Sequence, residues 1–127
     1  LSGYTFDAGA LIALERGKLR MRRVFETALD SGAVITVPAV VLTEWWRGQR
    51  SASSARVFLT AFVIEESNRR VCMDAGEAIA AVRDATAIDA IVMASAARRG
   101  DVVYTSDIED LQRLQAHFKG VPRVLRA

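Results

Sequence analysis

The stretch AVITVPAVVLTEWWRG, residues 33–48, decides the fold. Its first five residues are β-branched or apolar at every position and show no polar alternation. That pattern marks a strand covered on both faces, which belongs to a parallel sheet between helices. Pro38 then suits the first turn of a helix, where an N–H would have no partner in any case. The helix so begun carries Glu44. At about 100° per residue its neighbours on the wheel are Val40, Val41, Arg47 and Gly48, so the carboxylate borders an apolar face. A lone charge in that setting is costly and calls for a compensating positive group; Arg47, one turn on, is the nearest in sequence. Trp45 and Trp46 point about 100° apart on the same helix. One enters the core, and the other is left for a subunit contact, a partner groove or a stacked base.

Upstream of this stretch, residues 3–6 form a short strand and residues 7–17 a helix ended by Gly17. Residues 18–30 repeat apolar side chains at Leu19, Val24, Phe25, Ala28 and Leu29, a helical period. Downstream, the expected elements are a helix at 53–62, a short strand at 63–65, helices at 73–83 and 88–99, a strand at 101–105, a helix at 108–118 and a last strand at 121–125. Strands alternating with helices predict an α/β fold with a mainly parallel central sheet of four or five strands. A chain of 127 residues, without repeats or linker-like tracts, is expected to form one domain over 1–127.

Composition removes several function classes. No apolar run approaches the roughly 18 residues of a membrane-spanning helix. Residues 1–9 have no basic segment leading into an apolar one, so no secretory leader is expected and the protein is expected in the cytoplasm. The sequence opens on Leu1, which processing, an unusual start codon or a trimmed chain would explain equally. Cys72 is the only cysteine, which excludes an internal disulfide; it is expected to be buried. His117, the only histidine, falls where the last helix presents its carbonyl end. One His and one Cys cannot assemble a zinc site of that type within one chain, and no G-x-S-x-G motif accompanies the His. Carboxylates are left to carry any chemistry. The net charge is +2, and the basic residues, nearly all arginine, cluster at 16–23, at Arg47 and Arg50, at 69–70 and at 98–99. Each cluster suits phosphate oxygens or a solvated helix face about equally well.

Four acids stand where a parallel sheet places ligands, at the carboxyl ends of its strands. Asp7 follows the first strand, Asp107 follows the strand at 101–105, Glu44 lies in the helix after the second strand, and Asp89 opens the helix at 88–99. Taken singly, each aspartate also has a plain structural role. Asp7 and Asp107 suit helix N-caps, Asp89 follows Thr86 at capping-box spacing, and Asp110 in the first turn of the last helix complements its dipole. Taken together, converging carboxylates repel and raise one another's pKa unless something positive lies among them. Mg²⁺ or Mn²⁺ meets that need, because hard cations prefer oxygen ligands. Such a site acts on phosphodiesters without a histidine.

In order, FDAGALIAL (6–14), VLTEWWRG (41–48), AIDAIVMASAARRG (87–100) and VVYTSDIEDL (102–111) resemble the motifs of PIN-domain nucleases over nearly the whole chain. Size and order are most similar to the VapC-type ribonuclease toxins of toxin–antitoxin pairs. The resemblance implies a three-layer α/β/α fold and an acidic set at Asp7, Glu44, Asp89 and Asp107, with Thr105 and Ser106 as the hydroxyls before the last acid. It further implies an Mg²⁺- or Mn²⁺-dependent endoribonuclease acting on RNA, frequently a homodimer, held inactive by a cognate antitoxin. Relatives often carry Ser or Thr two residues after the first acid. This chain has Gly9 there, so a hydroxyl that orients Asp7 is expected to be missing. Two other classes compete. An aspartate-nucleophile phosphatase would need a second acid at position 9. A noncatalytic RNA- or protein-binding module of the same fold would leave four acids as an uncompensated cost.

Overall fold

The computed structural model describes residues 3–47 and 51–127; the expectations that fell on Leu1, Gly48 and Arg50 lie outside them. Among the described residues five strands make one parallel sheet: β1 (Tyr4–Phe6), β2 (Ile35–Pro38), β3 (Val63–Glu65), β4 (Val102–Thr105) and β5 (Val124–Arg126). Their order is β3-β2-β1-β4-β5. The chain therefore starts in the middle, builds outward to β3, and crosses back to add β4 and β5 on the other side. The winding reverses between β1 and β4, and loops leaving the carboxyl ends of two such strands part to open a crevice.

The helices are α1 (Ala8–Glu15), α2 (Leu19–Ser31), α3 (Leu42–Trp45), α4 (Ala52–Leu59), α5 (Arg69–Ala81), α6 (Ala87–Arg99) and α7 (Ile108–Gln115). Side chains alternate between the faces of a sheet, and register sets Thr5 level with Thr36 and Val103, and Phe6 level with Tyr104. Phe6 and Tyr104 face the layer of α1, α2 and α4, where Phe6 and Phe25 both meet Phe62. Thr5 faces the opposite layer, in which α6 packs between α5 and α7. Three layers result, α/β/α. Trp45, Phe6, Leu11, Met21, Met93, Leu111 and Leu114 are the largest fully buried side chains. Among the described residues no helix is long and apolar enough to cross a membrane.

Helix α6 brings the chain back across the sheet to β4, beside β1. Ala90, Val92, Met93, Ala94, Ser95 and Ala96 are all buried, so it is enclosed on nearly every side, and its small residues let it lie close to the strands. It ends at Gly100, whose φ of +74° favours glycine, which carries no Cβ. At that end Arg99 donates to Asp101 (2.8 Å), Glu65 (2.5 Å) and Thr5 (2.9 Å), while Thr5 donates to Asp101 (2.8 Å) and Ser95 to Glu65 (2.6 Å). Asp101 is buried, and this net satisfies a charge that could not stay there unpaired.

Several sequence expectations are corrected. Pro38 is not in a helix: it ends β2, level with Glu65 on β3. The helix through Glu44 is a 3-10 turn, Ala39–Val41, followed by the single turn of α3. The wheel of a long helix does not apply, and Glu44 is exposed instead of bordering the core. Arg47 donates through Nε to the Glu44 carbonyl at 2.9 Å, closing the short helix rather than neutralising the carboxylate. Cys72 is exposed: the buried face of α5 is Val71, Ala75 and Ala78, and its neighbour points away from it. α5 starts earlier than expected because Asn68 caps it, accepting from Val71 N–H at 2.9 Å. α7 stops at Gln115, and exposed His117 packs against Phe118 beyond its end. Trp45 is the core member of the tryptophan pair and Trp46 the exposed one, at 1% and 41%.

Candidate metal centre

Asp7 follows β1 and caps α1. Its backbone is extended, and its Oδ1 accepts the Ala10 N–H at 2.9 Å. Its Oδ2 accepts a short hydrogen bond from the Thr105 hydroxyl. Thr105 Oγ1 in turn accepts the Asp107 N–H at 2.8 Å. One buried hydroxyl at the end of β4 thus holds both the acid that follows β1 and the backbone of the acid that follows β4. The missing hydroxyl at position 9 does not leave Asp7 unoriented; Thr105 orients it.

Gly9 is needed for a different reason. A Cβ there would fall 1.8 Å from Ser106 Oγ, 2.6 Å from Ser106 Cβ and 3.2 Å from Ser106 N. The turn between β4 and α7 lies directly against the start of α1, and its serine fills the space that a side chain at position 9 would take.

Asp107 occupies the N-cap position of α7 but makes no capping hydrogen bond with its side chain, which leaves the carboxylate for the site. Asp89 stands in the first turn of α6, whose cap is Thr86; the Asp89 N–H donates to Thr86 Oγ1 at 3.3 Å. Oxygens of Asp89, Asp107 and Asp110 lie within 4.8 Å of one another. Asp110 accepts from Arg113 at 2.5 Å through Oδ1, leaving Oδ2. That pair is about half exposed, 50% and 49%, and such a pair is easily exchanged for another partner.

The acids respond to one another. Burial pushes the Asp7 carboxyl up to about 6; the Thr105 and Ala10 hydrogen bonds pull it down, and the charges of Asp107 and Asp89 push it up again. Asp89 is likewise pushed up to about 6, first by burial, then by Asp107, Asp110 and Glu44, against a lowering hydrogen bond from Thr86. Among the four acids expected from sequence, Asp89 and Asp107 therefore sit in one cluster, Asp7 is buried beside it with both oxygens hydrogen-bonded, and Glu44 lies outside it, exposed yet felt by Asp89. Asp110 joins the cluster in addition. The signal for it was the Asp107-x-x-Asp110 spacing, which sets the N-cap and N3 side chains of a helix next to each other.

The donor set suits a hard divalent cation. Oxygens sharing one Mg²⁺ at about 2.1 Å can be no more than about 4.2 Å apart, so a small inward rotation of the three carboxylates would close the cluster. Burial is the largest cause of the rise at Asp7 and Asp89, and the neighbouring negative charges that add to it are what a cation would relieve.

No curated protein matches the chain. The family model described as PIN domain matches residues 4–116, from the first residue of β1 to just past the end of α7. The chain belongs to the PIN domain family, whose members are generally metal-dependent nucleases that hold divalent ions through acidic residues.

Proposed function

We propose that the protein is an Mg²⁺- or Mn²⁺-dependent endoribonuclease and the toxin of a type II toxin–antitoxin pair. The observation that carries the nuclease reading is the cluster of Asp89, Asp107 and Asp110 at the crevice between β1 and β4, with Asp7 buried behind it. Asp89, Asp107 and Asp110 are the groups that would hold the ion, and Glu44 would reach it through water. A bound divalent ion neutralises phosphate charge and lowers the pKa of a water. The chain's own residues do the rest. Thr105 keeps Asp7 and the Asp107 backbone in fixed relation, and Asp7 contributes negative potential from a site that water does not screen.

The toxin reading rests on the order and spacing of the acidic motifs in a chain of this length. It carries with it a cytoplasmic location, a homodimer and a cognate antitoxin. An apolar groove of about 450 Å³ between α3 and α4, lined by Leu42, Trp45, Trp46, Ala55 and Leu59, supports a protein contact of this kind.

The test is cleavage of a mixed RNA pool with Mg²⁺, with Mn²⁺ and with EDTA, by wild type and by Asp89→Asn, Asp107→Asn and Glu44→Gln. Wild type should cut only with the ion. The two Asn variants should lose at least about a hundredfold, in keeping with the loss of a group that stabilises developing charge, and Glu44→Gln less. Chelator-resistant cutting removes the metal-dependent reading, and wild type that binds RNA without cutting it favours the noncatalytic module. Induced expression of wild type, but not Asp89→Asn, should arrest growth if the protein is a toxin.

A further inference from the structure

The acidic recess is not closed at its far side. It measures about 260 Å³ and is lined by Ser106, Asp107, Ile108, Glu109, Asp110 and Arg126. Ser106 is shared with a second groove of about 570 Å³, lined otherwise by Gly9, Ile12, Ala13, Arg16 and Lys18. Three cations from separate parts of the chain border these two adjoining grooves: Arg16 and Lys18 at the turn between α1 and α2, and Arg126 at the end of β5, level with Thr105. Among the described residues none of the three forms an ion pair with an Asp or Glu side chain. They are held in place all the same. Lys18 Nζ donates to the Ala127 carbonyl at 3.0 Å, and Arg20 reaches the Arg126 carbonyl at 3.5 Å, so the α1–α2 turn is tied to β5.

We propose that this groove seats the phosphate–ribose backbone of single-stranded RNA beside the bond presented to the acids, with Arg16, Lys18 and Arg126 on the phosphates. The inference rests on the nuclease reading above. A polyanion must approach a cluster of carboxylates to be cut there, and cations at the rim, engaged by no Asp or Glu side chain among the described residues, supply the attraction that the cluster itself denies. The apolar lining of the groove is Ile12 and Ala13, and among the described residues the groove presents no aromatic ring to stack on a base and no side-chain amide to read one. Contacts of this kind position a strand without selecting its sequence. This side of the cut is therefore sequence-tolerant, and any base preference arises elsewhere.

The experiment is titration of labelled, unstructured oligo-U and oligo-A RNA in EDTA, so that binding is read without cleavage, over a range of salt. Arg16 makes no described side-chain contact within the chain, so Arg16→Ala tests the groove without disturbing the fold. It should weaken both oligomers equally, by about three- to tenfold, and reduce the salt slope by roughly 0.7, the value for one phosphate on a single strand. Arg126→Ala should act similarly, and Arg16→Lys should keep most of the affinity. Unchanged affinity and slope in Arg16→Ala, or loss for one base type only, overturns the proposal, as does wild type that binds neither oligomer. Metal-dependent cutting by wild type alongside an inert Arg16→Ala would reject the groove alone. Arg16-dependent, sequence-tolerant binding supports the groove even if wild type cuts nothing, and then the nuclease reading is what fails.

Discussion

Gly9 and Ser106 compete for one volume, and the outcome sets how near α1 comes to the turn that carries Asp107. Ser106 Cβ, not only its mobile hydroxyl, would lie 2.6 Å from a Cβ at position 9; a rotamer change cannot relieve that contact, so the backbone of the turn must move. Gly9→Ala is accordingly expected to cost about 1–3 kcal/mol, as overpacking does, and to lower divalent-ion affinity by displacing Asp107. Denaturant midpoints and calorimetric ion titration would show both effects, and Ser106→Gly in the same chain should restore much of each. A Gly9→Ala variant with wild-type stability and ion affinity would refute the account.

At the scale of elements, the features that declare themselves locally were legible in the sequence. The strand around Ile35, with β-branched side chains throughout, and the helices begun by Thr86 or ended by Gly100 follow from short-range chemistry. Glu44 was misread because the wheel assumed a continuous α-helix, whereas the chain takes a 3-10 turn before one turn of α3. Proline without an N–H suits a strand end as well as a helix start, so Pro38 could not distinguish them. Asp110 was ambiguous because a carboxylate in a first helical turn answers the dipole and a cation alike. The Gly9–Ser106 contact joins residues almost a hundred positions apart, and no local pattern encodes it. The net around Arg99 is of the same long-range kind. Arg99→Met removes the only cation that the net holds among the described residues and leaves Asp101 buried without that partner. Because Arg99 keeps 26% side-chain exposure, the cost should lie somewhat below that of a fully buried pair, about 2–4 kcal/mol, read as a lower urea midpoint. Asp101→Asn added to it should recover part of the loss.

At the scale of the whole molecule the acids make stability depend on pH and on cations together. Asp7 and Asp89 have folded values of about 6, above the ordinary carboxylate value near 4 that the unfolded chain retains. Between those values the folded protein holds more protons than the unfolded one, so their contribution is full below about pH 4 and is lost as pH rises through 6. The melting temperature of the metal-free protein should therefore fall between pH 5 and pH 7, and Asp89→Asn should flatten the fall. Mg²⁺ or Mn²⁺ should raise the melting temperature more at pH 7 than at pH 5, by an amount equivalent to about 2.7 kcal/mol at a hundred times the dissociation constant. A wild-type melting point that climbs over this interval and ignores the ions would contradict the arrangement.

The central position of β1 also governs when the centre can exist. A nascent chain that has reached Gly100 already contains Asp7, Glu44 and Asp89, yet β4 is still missing from its place beside β1, and with it the hydroxyl that grips Asp7 and the two remaining acids of the cluster. Such an intermediate holds only one of the three acids whose oxygens cluster. The order of synthesis thus leaves the acidic centre unassembled until β4 and the start of α7 have been made.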